Sequence, residues 1–274
     1  MIPDYLLVGH LTADLKPDGR VLGGTVSYAA AVARACGRLP AVLTSAAQDE
    51  PFVGVLGTIS DIKSVYAQHT TTFENVYYDG GRVQTLHARA DTLTAKDVPE
   101  TWHTIPAVHL APLVDEIAPD LFEAFPNSMV MMTPQGMLRQ WDSNGKVRFR
   151  YWCDRDLLQN VHLLVFSKQD IQEMPKIEAE FAQAVEHVVV TDGANGGVHY
   201  HYGVPTPYRA VLANEVDPTG AGDVFATTLF ISLLDTKDYS RSLKVAAHVA
   251  ALTVEHSKVY VPTVDEIVEI MQMY

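Results

Sequence analysis

The chain has 274 residues, 47% of them hydrophobic, and a formal net charge of −13. This acidity, without any lysine- or arginine-rich run, argues against a nucleic-acid partner, because binding to a phosphate backbone depends on basic contacts. The two cysteines, Cys36 and Cys153, lie far apart and outside any CxxC pattern, which argues against a disulfide framework or a structural zinc site. The length allows one large α/β domain or two small ones, and we expect one domain over residues 1–274.

The longest apolar runs predict no membrane segment, because each is interrupted well before the roughly 20 residues that a membrane helix needs. The sequence starts Met-Ile-Pro-Asp-Tyr, without a basic segment followed by a long apolar stretch, and so predicts no secretory signal. We therefore expect a cytoplasmic protein with no membrane partner.

The beginning of the chain predicts a strand, a loop and a helix. An apolar run at residues 5–8 predicts the strand, and the alanine-rich residues 25–36, which follow a glycine pair, predict the helix. The residues between them, with a Pro-Asp-Gly turn, read as a loop. Gly37 suits the C-terminal cap of the helix, and residues 41–44 predict the next strand. The chain thus opens with a β-α-β unit.

Residues 71–90 predict a β-hairpin. Two alternating runs, at residues 72–78 and 82–88, flank an Asp-Gly-Gly turn at residues 79–81. A hairpin inserted in an α/β chain often projects from the main sheet. It is therefore a candidate lid over an active site, and simple pairing at a sheet edge stays the alternative.

Short apolar strands alternate with helical patterns or loops through the rest of the chain. This alternation favours a largely parallel sheet with helices on both faces. The predicted elements are strands at residues 108–110, 129–132, 161–166 and 187–191, and helices at residues 221–234, 241–256 and 264–273.

The most informative stretch is residues 215–223, Glu-Val-Asp-Pro-Thr-Gly-Ala-Gly-Asp, which leads into an apolar helix pattern. Gly220 and Gly222 can present backbone N–H groups where that helix begins, and the positive end of the helix dipole favours a transferring phosphate there. Asp223, in the first turn, is then a candidate general base for a substrate hydroxyl. The alternative is an ordinary capped helix with an acid in its first turn.

Residues 217–223, Asp-Pro-Thr-Gly-Ala-Gly-Asp, resemble the C-terminal signature of the ribokinase-like (PfkB) family of carbohydrate kinases. In that family the second Asp is the catalytic base and the Gly-Ala-Gly amides form the anion hole. The resemblance implies these roles for Asp223 and for Gly220, Ala221 and Gly222. It also implies an α/β fold, a three-layer α-β-α sandwich with a largely parallel central sheet and a small β lid. The implied activity is an ATP- and Mg²⁺-dependent kinase for an alcohol of a sugar or cyclitol.

The substrate side of the family also has counterparts here. Gly23 and Gly24 resemble the glycine pair that approaches the substrate. Asp14 matches the Asp after the first strand that hydrogen-bonds substrate hydroxyls, although such a lone Asp is otherwise a turn residue. Tyr28 stands where the family usually has Asn, and its large ring implies a differently shaped pocket in which it stacks on a substrate ring or fills space.

Residues 132–139, Met-Thr-Pro-Gln-Gly-Met-Leu-Arg, resemble the Pro-Gln-Gly-x-x-Arg stretch of family branches that act on inositol or on uncharacterised sugars. The resemblance makes Gln135 and Arg139 candidate substrate contacts, with a role for Arg139 in holding a surface loop as the alternative. It favours a cyclitol over a pentose or hexose.

The nucleotide side departs more from the family. Residues 191–197, Thr-Asp-Gly-Ala-Asn-Gly-Gly, resemble its Thr-x-Gly-x-x-Gly segment beside the nucleotide phosphates and ribose. Ser167 and Asp170 replace its usual Asn-x-x-Glu; Asp170 can take part in magnesium binding through water, and a helix N-cap at Ser167 is the alternative. His248 lies near where the family lines its adenine pocket, and a helix surface or packing residue is the alternative there. The implied nucleotide contacts are Ser167, Thr191, Gly193, Gly196, Asp217, Thr219 and His248.

Other functions stay open. A kinase for a nucleoside or a vitamin such as pyridoxal would use the same signature, and a weak sugar or nucleotide sensor would explain the changes at Ser167, Asp170 and Tyr28, although the intact Asp223 opposes it. An NAD-dependent oxidoreductase is disfavoured, because no GxGxxG follows the first strand. The family's lid often pairs with another subunit, so a homodimer is expected.

Overall fold

The computed structural model describes residues 2–78, 81–257 and 260–274. The strands and α-helices are numbered in chain order. The strands are β1 Tyr5–Val8, β2 Thr12–Lys16, β3 Gly19–Gly23, β4 Pro40–Ala47, β5 Asp61–Ala67, β6 Thr72–Tyr78, β7 Gly81–Ala88, β8 Ala107–Leu110, β9 Met129–Met132, β10 Arg139–Trp141, β11 Val147–Phe149, β12 Leu163–Ser167, β13 His187–Thr191, β14 Gly197–His201 and β15 Val204–Tyr208. The α-helices are α1 Thr25–Ala35, α2 Pro51–Leu56, α3 Asp120–Glu123, α4 Arg155–Leu158, α5 Ile177–Ala184, α6 Ala221–Thr236, α7 Tyr239–Val254 and α8 Val264–Met273.

Nine of the described strands form the central sheet, in the order β15-β14-β13-β12-β9-β8-β1-β4-β5. The strands from β13 to β5 in this order are parallel, and β14 and β15 join antiparallel at one edge. Both faces of β1 are buried, since Leu6 and Val8 pack into one hydrophobic cluster and Tyr5 and Leu7 into the other. The predicted three-layer α-β-α sandwich with a largely parallel sheet is therefore confirmed.

Helices α1, α6 and α7 cover one face of the sheet, and α3 and α5 cover the other. Helix α6 is buried from Val224 to Leu233, which explains why its sequence is apolar on all sides. In a parallel sheet the helices begin near the carboxyl ends of the strands. The first turns of α1 and α6 accordingly lie on the same side of the molecule, and the two helices pack against each other.

A second, smaller sheet has the order β3-β2-β6-β7 and is called the small sheet below. Strands β6 and β7 confirm the hairpin predicted within residues 71–90; residues 79–80 of its turn lie outside the described residues. The interpretation of residues 9–23 as a loop is wrong, because β2 and β3 pair antiparallel around the Pro-Asp-Gly turn. These strands are mostly polar or exposed, so they lack the apolar alternation that predicts a strand. The small sheet is thus built from two hairpins, where the sequence suggested one.

A separate apolar cluster joins the small sheet to the loop after β8. It contains Phe73 and Leu86 from the small sheet and Leu113 and Val114 from the loop. The Leu86 amide also donates to the Gly145 carbonyl at 2.8 Å, which ties β7 to the turn between β10 and β11. These contacts hold the small sheet against the carboxyl edge of the central sheet. Among the described helices, none has the length and apolar character needed to cross a membrane.

Candidate active site

The first turn of α6 begins from a left-handed glycine. Gly220 caps the helix with φ of 81°, a conformation that side chains other than glycine rarely adopt. The Gly220 carbonyl accepts the first hydrogen bond of the helix, from the Val224 amide at 2.9 Å. The amides before Val224 therefore have no helical carbonyl acceptor four residues earlier. The Ala221 amide instead donates to the Pro218 carbonyl at 3.2 Å. A Cβ added to Gly222 would meet no atom within 4 Å, so open space lies beside the helix N-terminus.

Asp223 lies in this first turn and is half-buried. Burial raises the pKa of its carboxyl group to about 6, although a hydrogen bond from the Thr25 side chain lowers the pKa. The negative charge of Asp170 raises the pKa further and the positive charge of Arg139 lowers it. A carboxyl group with a pKa of about 6 is mostly ionised at neutral pH and can take up a proton readily.

Thr25 is a residue of the candidate site that the sequence analysis missed. It is the first residue of α1, it is 5% exposed, and its hydrogen bond to Asp223 joins the first turns of α1 and α6. The sequence carries one signal for it, a hydroxyl residue directly after the glycine pair at the start of a predicted helix. That signal predicts a helix terminus, but the partner is about 200 residues away in the chain and is revealed only by the fold.

The glycine pair lets the chain approach Asp14 closely. A Cβ on Gly23 would lie 2.6 Å from Asp14 Oδ2 and 2.6 Å from Thr12 Oγ1, and the Thr12 hydroxyl donates to Asp14 Oδ1 at 2.8 Å. Gly24 has φ of 91°, and a Cβ there would lie 2.6 Å from the His10 carbonyl oxygen. The structure therefore brings the predicted substrate residues together beside α1. Tyr28 lies in the first turns of the same helix and is half-buried.

Replacing Gly23 with Ala is expected to raise the KM for the phosphate acceptor by about 10- to 100-fold, because the new methyl group displaces the Asp14 carboxylate. Steady-state kinetics at varied acceptor concentration measure this effect. Gly54→Ala is the matched control, since a Cβ there meets nothing within 4 Å. An unchanged KM in Gly23→Ala would contradict a role for Asp14 in binding the acceptor.

The segment after β9 approaches the same site. A Cβ on Gly136 would lie 2.3 Å from the Leu113 amide nitrogen, so only glycine allows this contact. The neighbouring Gln135 side-chain amide donates to Asp170 Oδ1 at 3.1 Å. Arg139 is half-buried, its Nη1 donates to the Leu113 carbonyl at 3.5 Å, and its guanidinium lies 5.9 Å from the Phe73 ring centroid in the small sheet. Arg139 thus lies between the small sheet and the Asp223 region.

Asp170 is engaged by two donors. Its Oδ2 accepts the Ser167 amide at 2.9 Å in a capping box in which the Ser167 hydroxyl accepts the Gln169 amide at 3.1 Å. Its Oδ1 is the acceptor for Gln135. The helix-cap alternative at Ser167 is therefore present in the structure, and it places the Asp170 carboxylate near Asp223.

The glycine-rich segment after β13 lies beside this capping box, because Thr191 pairs with Ser167 in adjacent parallel strands. Gly196 has φ of 87°, and a Cβ there would lie 2.2 Å from the Tyr208 carbonyl oxygen, so the tight turn requires glycine. Gly193, also at positive φ, begins the short 3₁₀ helix Gly193–Asn195 within this turn. The turn presents its backbone at the carboxyl edge of the sheet.

The loop before α6 is held by α7. The amides of Val216 and Asp217 donate to the Val254 carbonyl at 2.7 and 3.2 Å, and Asp217 Oδ1 accepts the Thr219 amide at 2.9 Å. On α7, the His248 Nδ1 atom lies 3.3 Å from the Tyr274 hydroxyl oxygen, within hydrogen-bonding distance. The contact of His248 is therefore with Tyr274 and not with Asp223 or its neighbours in the candidate site.

Glu116 is a second residue that the sequence analysis missed. Its carboxylate is fully buried and accepts backbone amides from His10 at 2.9 Å, from Leu113 at 2.8 Å and from Val114 at 2.7 Å. These bonds fix the loop after β1 to the loop after β8. No sequence pattern marks Glu116, because its distant partner His10, 106 residues earlier in the chain, becomes a neighbour only when the sheet forms.

His10 connects the same region to the base of the small sheet. Its imidazole is fully buried, with Nδ1 2.7 Å from the Thr71 hydroxyl and Nε2 2.9 Å from the Asp91 carbonyl. Thr71 Oγ1 also accepts the Ala90 amide at 2.9 Å. Burial lowers the pKa of His10, so the ring is neutral and donates from Nε2 while it accepts at Nδ1. Both ends of the hairpin are thereby fixed beside the site.

Comparisons with known proteins agree with this architecture. A family model described as pfkB family carbohydrate kinase matches residues 123–266, just over half of the chain. An inositol 3-kinase of Arabidopsis thaliana is 27% identical over 201 residues, which cover 69% of this chain and 56% of that kinase. The matched region therefore spans just over half the length of that relative.

Two solved structures cover nearly all of the chain. One is a pyrophosphate-dependent kinase in the ribokinase family complexed with a pyrophosphate analogue and myo-inositol; it has a TM-score of 0.79, is 20% identical, and aligns over 97% of this chain and 99% of its own. The other is the ribokinase of Arabidopsis thaliana complexed with ribose and ATP, with a TM-score of 0.77, 17% identity and 99% of both chains aligned. At these identities they establish a shared fold.

Proposed function

The chain belongs to the pfkB family of carbohydrate kinases, and from this premise we propose that it transfers the γ-phosphoryl group of ATP to a hydroxyl of a sugar or cyclitol. The observation that carries the proposal is the first turn of α6. There a half-buried carboxyl group, Asp223, has a raised pKa in the first turn of the helix, and open space lies beside the neighbouring Gly222. A proton acceptor and an anion site at one helix N-terminus are the two groups that phosphoryl transfer to an alcohol requires.

Asp223 acts as the general base. It takes the proton of the acceptor hydroxyl as that oxygen attacks the γ-phosphorus, the bond to the β-phosphate oxygen breaks, and ADP leaves. The Thr25 hydroxyl fixes the orientation of the carboxylate through its hydrogen bond. The pKa of about 6 suits this role, because the group is ionised before the reaction and accepts a proton without a large free-energy cost.

The phosphate side uses the N-terminus of α6. Gly220 and Gly222 contribute amides and the positive end of the helix dipole toward the transferring phosphoryl group. The Ala221 amide contributes less than the family signature implies, because it is already bonded to Pro218. The remaining nucleotide contacts are proposed for the turn after Thr191 and for the loop that contains Asp217 and Thr219, which α7 holds in place.

A magnesium ion would neutralise phosphate charge at this edge of the sheet. Asp170 fits such an ion through an intervening water: its two oxygens each accept one N–H bond, from Ser167 and Gln135, and retain further lone pairs. Direct coordination would compete with these two bonds. Asp170 would therefore support the ion through its negative charge and an intervening water.

The acceptor binds between α1 and the small sheet. Asp14 accepts hydrogen bonds from the hydroxyls of the acceptor, and Gly23 lets the backbone before α1 lie close to the Asp14 carboxylate. Gln135 and Arg139 contribute polar contacts from the other side, and Tyr28 adds an aromatic ring. A cyclitol is the favoured acceptor, which the resemblance to an inositol 3-kinase supports. The hairpin within residues 71–90 covers the site, and a homodimer through the small sheet stays a prediction.

The proposal is tested by product formation from ATP and Mg²⁺ across a panel of inositols, pentoses, hexoses and nucleosides, with pyrophosphate as an alternative donor. We expect turnover with one cyclitol or sugar and its loss in Asp223→Asn. Turnover confined to nucleosides would favour the nucleoside-kinase alternative. A chain that binds ATP but turns over no member of the panel would instead support the sensor alternative.

A further inference from the structure

Three side chains at the far end of β13 converge on one point. Glu186 Oε1 lies 3.5 Å from His187 Nε2 and 3.7 Å from His201 Nε2, and one ligand atom from each residue lies within 4.8 Å of the other two. His201 and Glu186 are exposed, at 54% and 43% of their side-chain surfaces, and His187 is 15% exposed. The cluster is therefore open to solvent from one side.

The pairing of two strands creates this convergence. His187 is the first residue of β13 and pairs directly with His201, the last residue of β14. Their imidazole rings stack in parallel, with centroids 4.4 Å apart and an interplanar angle of 2°. Glu186 immediately precedes β13, and its carbonyl accepts the Tyr202 amide at 2.9 Å. Both ends of the cluster are thus fixed by backbone hydrogen bonds.

The spacing agrees with that of a metal site. Zinc bonds to imidazole nitrogen and carboxylate oxygen are about 2.0–2.2 Å, so two ligand atoms of a tetrahedral site lie roughly 3.3–3.5 Å apart. The Glu186–His187 distance already has this value, and the Glu186–His201 distance exceeds it by a few tenths of an ångström. Because each Nε2 lone pair lies in its own ring plane, the stacked rings of His187 and His201 must also turn relative to each other to face one ion, and the exposed side chain of His201 leaves room for this rotation.

Neighbouring groups orient the donors. His187 Nδ1 and His199 Nε2 are 3.0 Å apart, so a hydrogen bond on that side leaves His187 Nε2 to face Glu186. The Tyr239 ring stacks on His187 with centroids 4.0 Å apart, and the Tyr202 hydroxyl hydrogen-bonds to the Glu186 carboxylate. A metal-binding histidine usually donates its other ring N–H to a neighbouring acceptor, and the His187–His199 contact fits this pattern when His187 Nδ1 carries the proton.

We propose that Glu186, His187 and His201 bind a divalent first-row transition-metal ion such as Zn²⁺, with water in the fourth position. Two imidazoles and one carboxylate suit this class of ion better than Mg²⁺, which prefers oxygen ligands. The ion holds the start of β13 to the end of β14. It lies about 13 Å along β13 from Thr191, since each strand residue advances about 3.3 Å, and it is separate from the nucleotide site.

The test uses Co²⁺ titration of the full chain, prepared without a histidine tag and treated first with a chelator. We expect one equivalent to bind with the visible absorption of four-coordinate Co²⁺ and to be displaced by Zn²⁺. His201→Gln and Glu186→Gln each remove one ligand at an exposed position and should weaken binding at least about 10-fold. His69→Gln, at an exposed histidine outside the cluster, is the matched control.

Thermal unfolding gives an independent readout. Zn²⁺ should raise the Tm of the wild type and of His69→Gln but not that of His201→Gln, because only a bound ion stabilises the folded state. Kinase turnover should be the same in all of these variants. The proposal is overturned if the wild type binds no Co²⁺, or if His201→Gln and Glu186→Gln bind Co²⁺ as tightly as the wild type.

Discussion

Replacing Asp223 with Asn is expected to lower kcat by about 10²- to 10⁴-fold, the contribution that a positioned general base usually makes. The amide has nearly the same shape and still accepts the hydrogen bond from Thr25, but it cannot take up the acceptor proton. The KM for ATP should change little, since the backbone amides of the α6 N-terminus remain. Steady-state kinetics with the acceptor identified by the panel measure both constants.

Asp265→Asn is the matched control, because Asp265 is an exposed acid in the first turn of another helix, α8. Its kcat should equal that of the wild type. If Asp223→Asn retains near-normal turnover, Asp223 is not the base.

The pH dependence follows from the same carboxyl group. The base must be ionised, so kcat/KM of the wild type should rise with pH through about 6 and level off above it. In Asp223→Asn the residual activity should lack this step. A wild-type profile that is flat between pH 5 and 8 would contradict the assignment.

Asp223 should also reduce stability at neutral pH. Its pKa is raised in the folded chain above the ordinary value of 3.8, so the folded state binds the proton more tightly than the unfolded state does. The protonated carboxyl group therefore favours the folded state. This contribution is fully present below pH 3.8 and is lost as the pH rises through about 6. At pH 7.5, Asp223→Asn should therefore unfold at a higher Tm than the wild type, by an amount equivalent to about 1 kcal/mol after allowance for partial exposure.

The parts of the fold that sequence could predict are those with a local cause. The apolar run in β1 and the glycine pair before α1 each act within a few residues, and both predictions are confirmed. The small sheet was only half predicted. Strands β6 and β7 flank a strong turn signal, whereas β2 and β3 lack an apolar alternation and form strands because they pair with each other and β2 joins β6.

The candidate site divides in the same way. Asp223 and its glycines occupy one short motif at a helix start, where the chemistry can be read from the spacing. Thr25 and Glu116 each have one partner that is distant in the chain, Asp223 and His10 respectively, so their roles depend on the packing of α1 against α6 and of β1 beside β8. The roles of the predicted nucleotide residues stay predictions, because the fold shows where their backbone lies and not what it binds.

Glu116→Gln is expected to lower the free energy of unfolding by about 2–4 kcal/mol. The carboxylate accepts amide hydrogens at both oxygens, from His10 and Leu113 at Oε1 and from Leu113 and Val114 at Oε2. Glutamine has the same shape, but its NH₂ group must face at least one of these N–H donors. A buried donor left without an acceptor costs about 1–3 kcal/mol, and the repulsion between two donors adds to this.

Thermal and urea unfolding measure the effect, which corresponds to a Tm about 5–15 °C lower for a chain of this size. Glu123→Gln, at an exposed position in α3, is the matched control and should change stability by less than about 0.5 kcal/mol. Because the same loop carries the Leu113 carbonyl that accepts Arg139, Glu116→Gln should also raise the KM for the acceptor. Equal stability in the two variants would mean that the buried carboxylate does not hold the loops after β1 and β8 together.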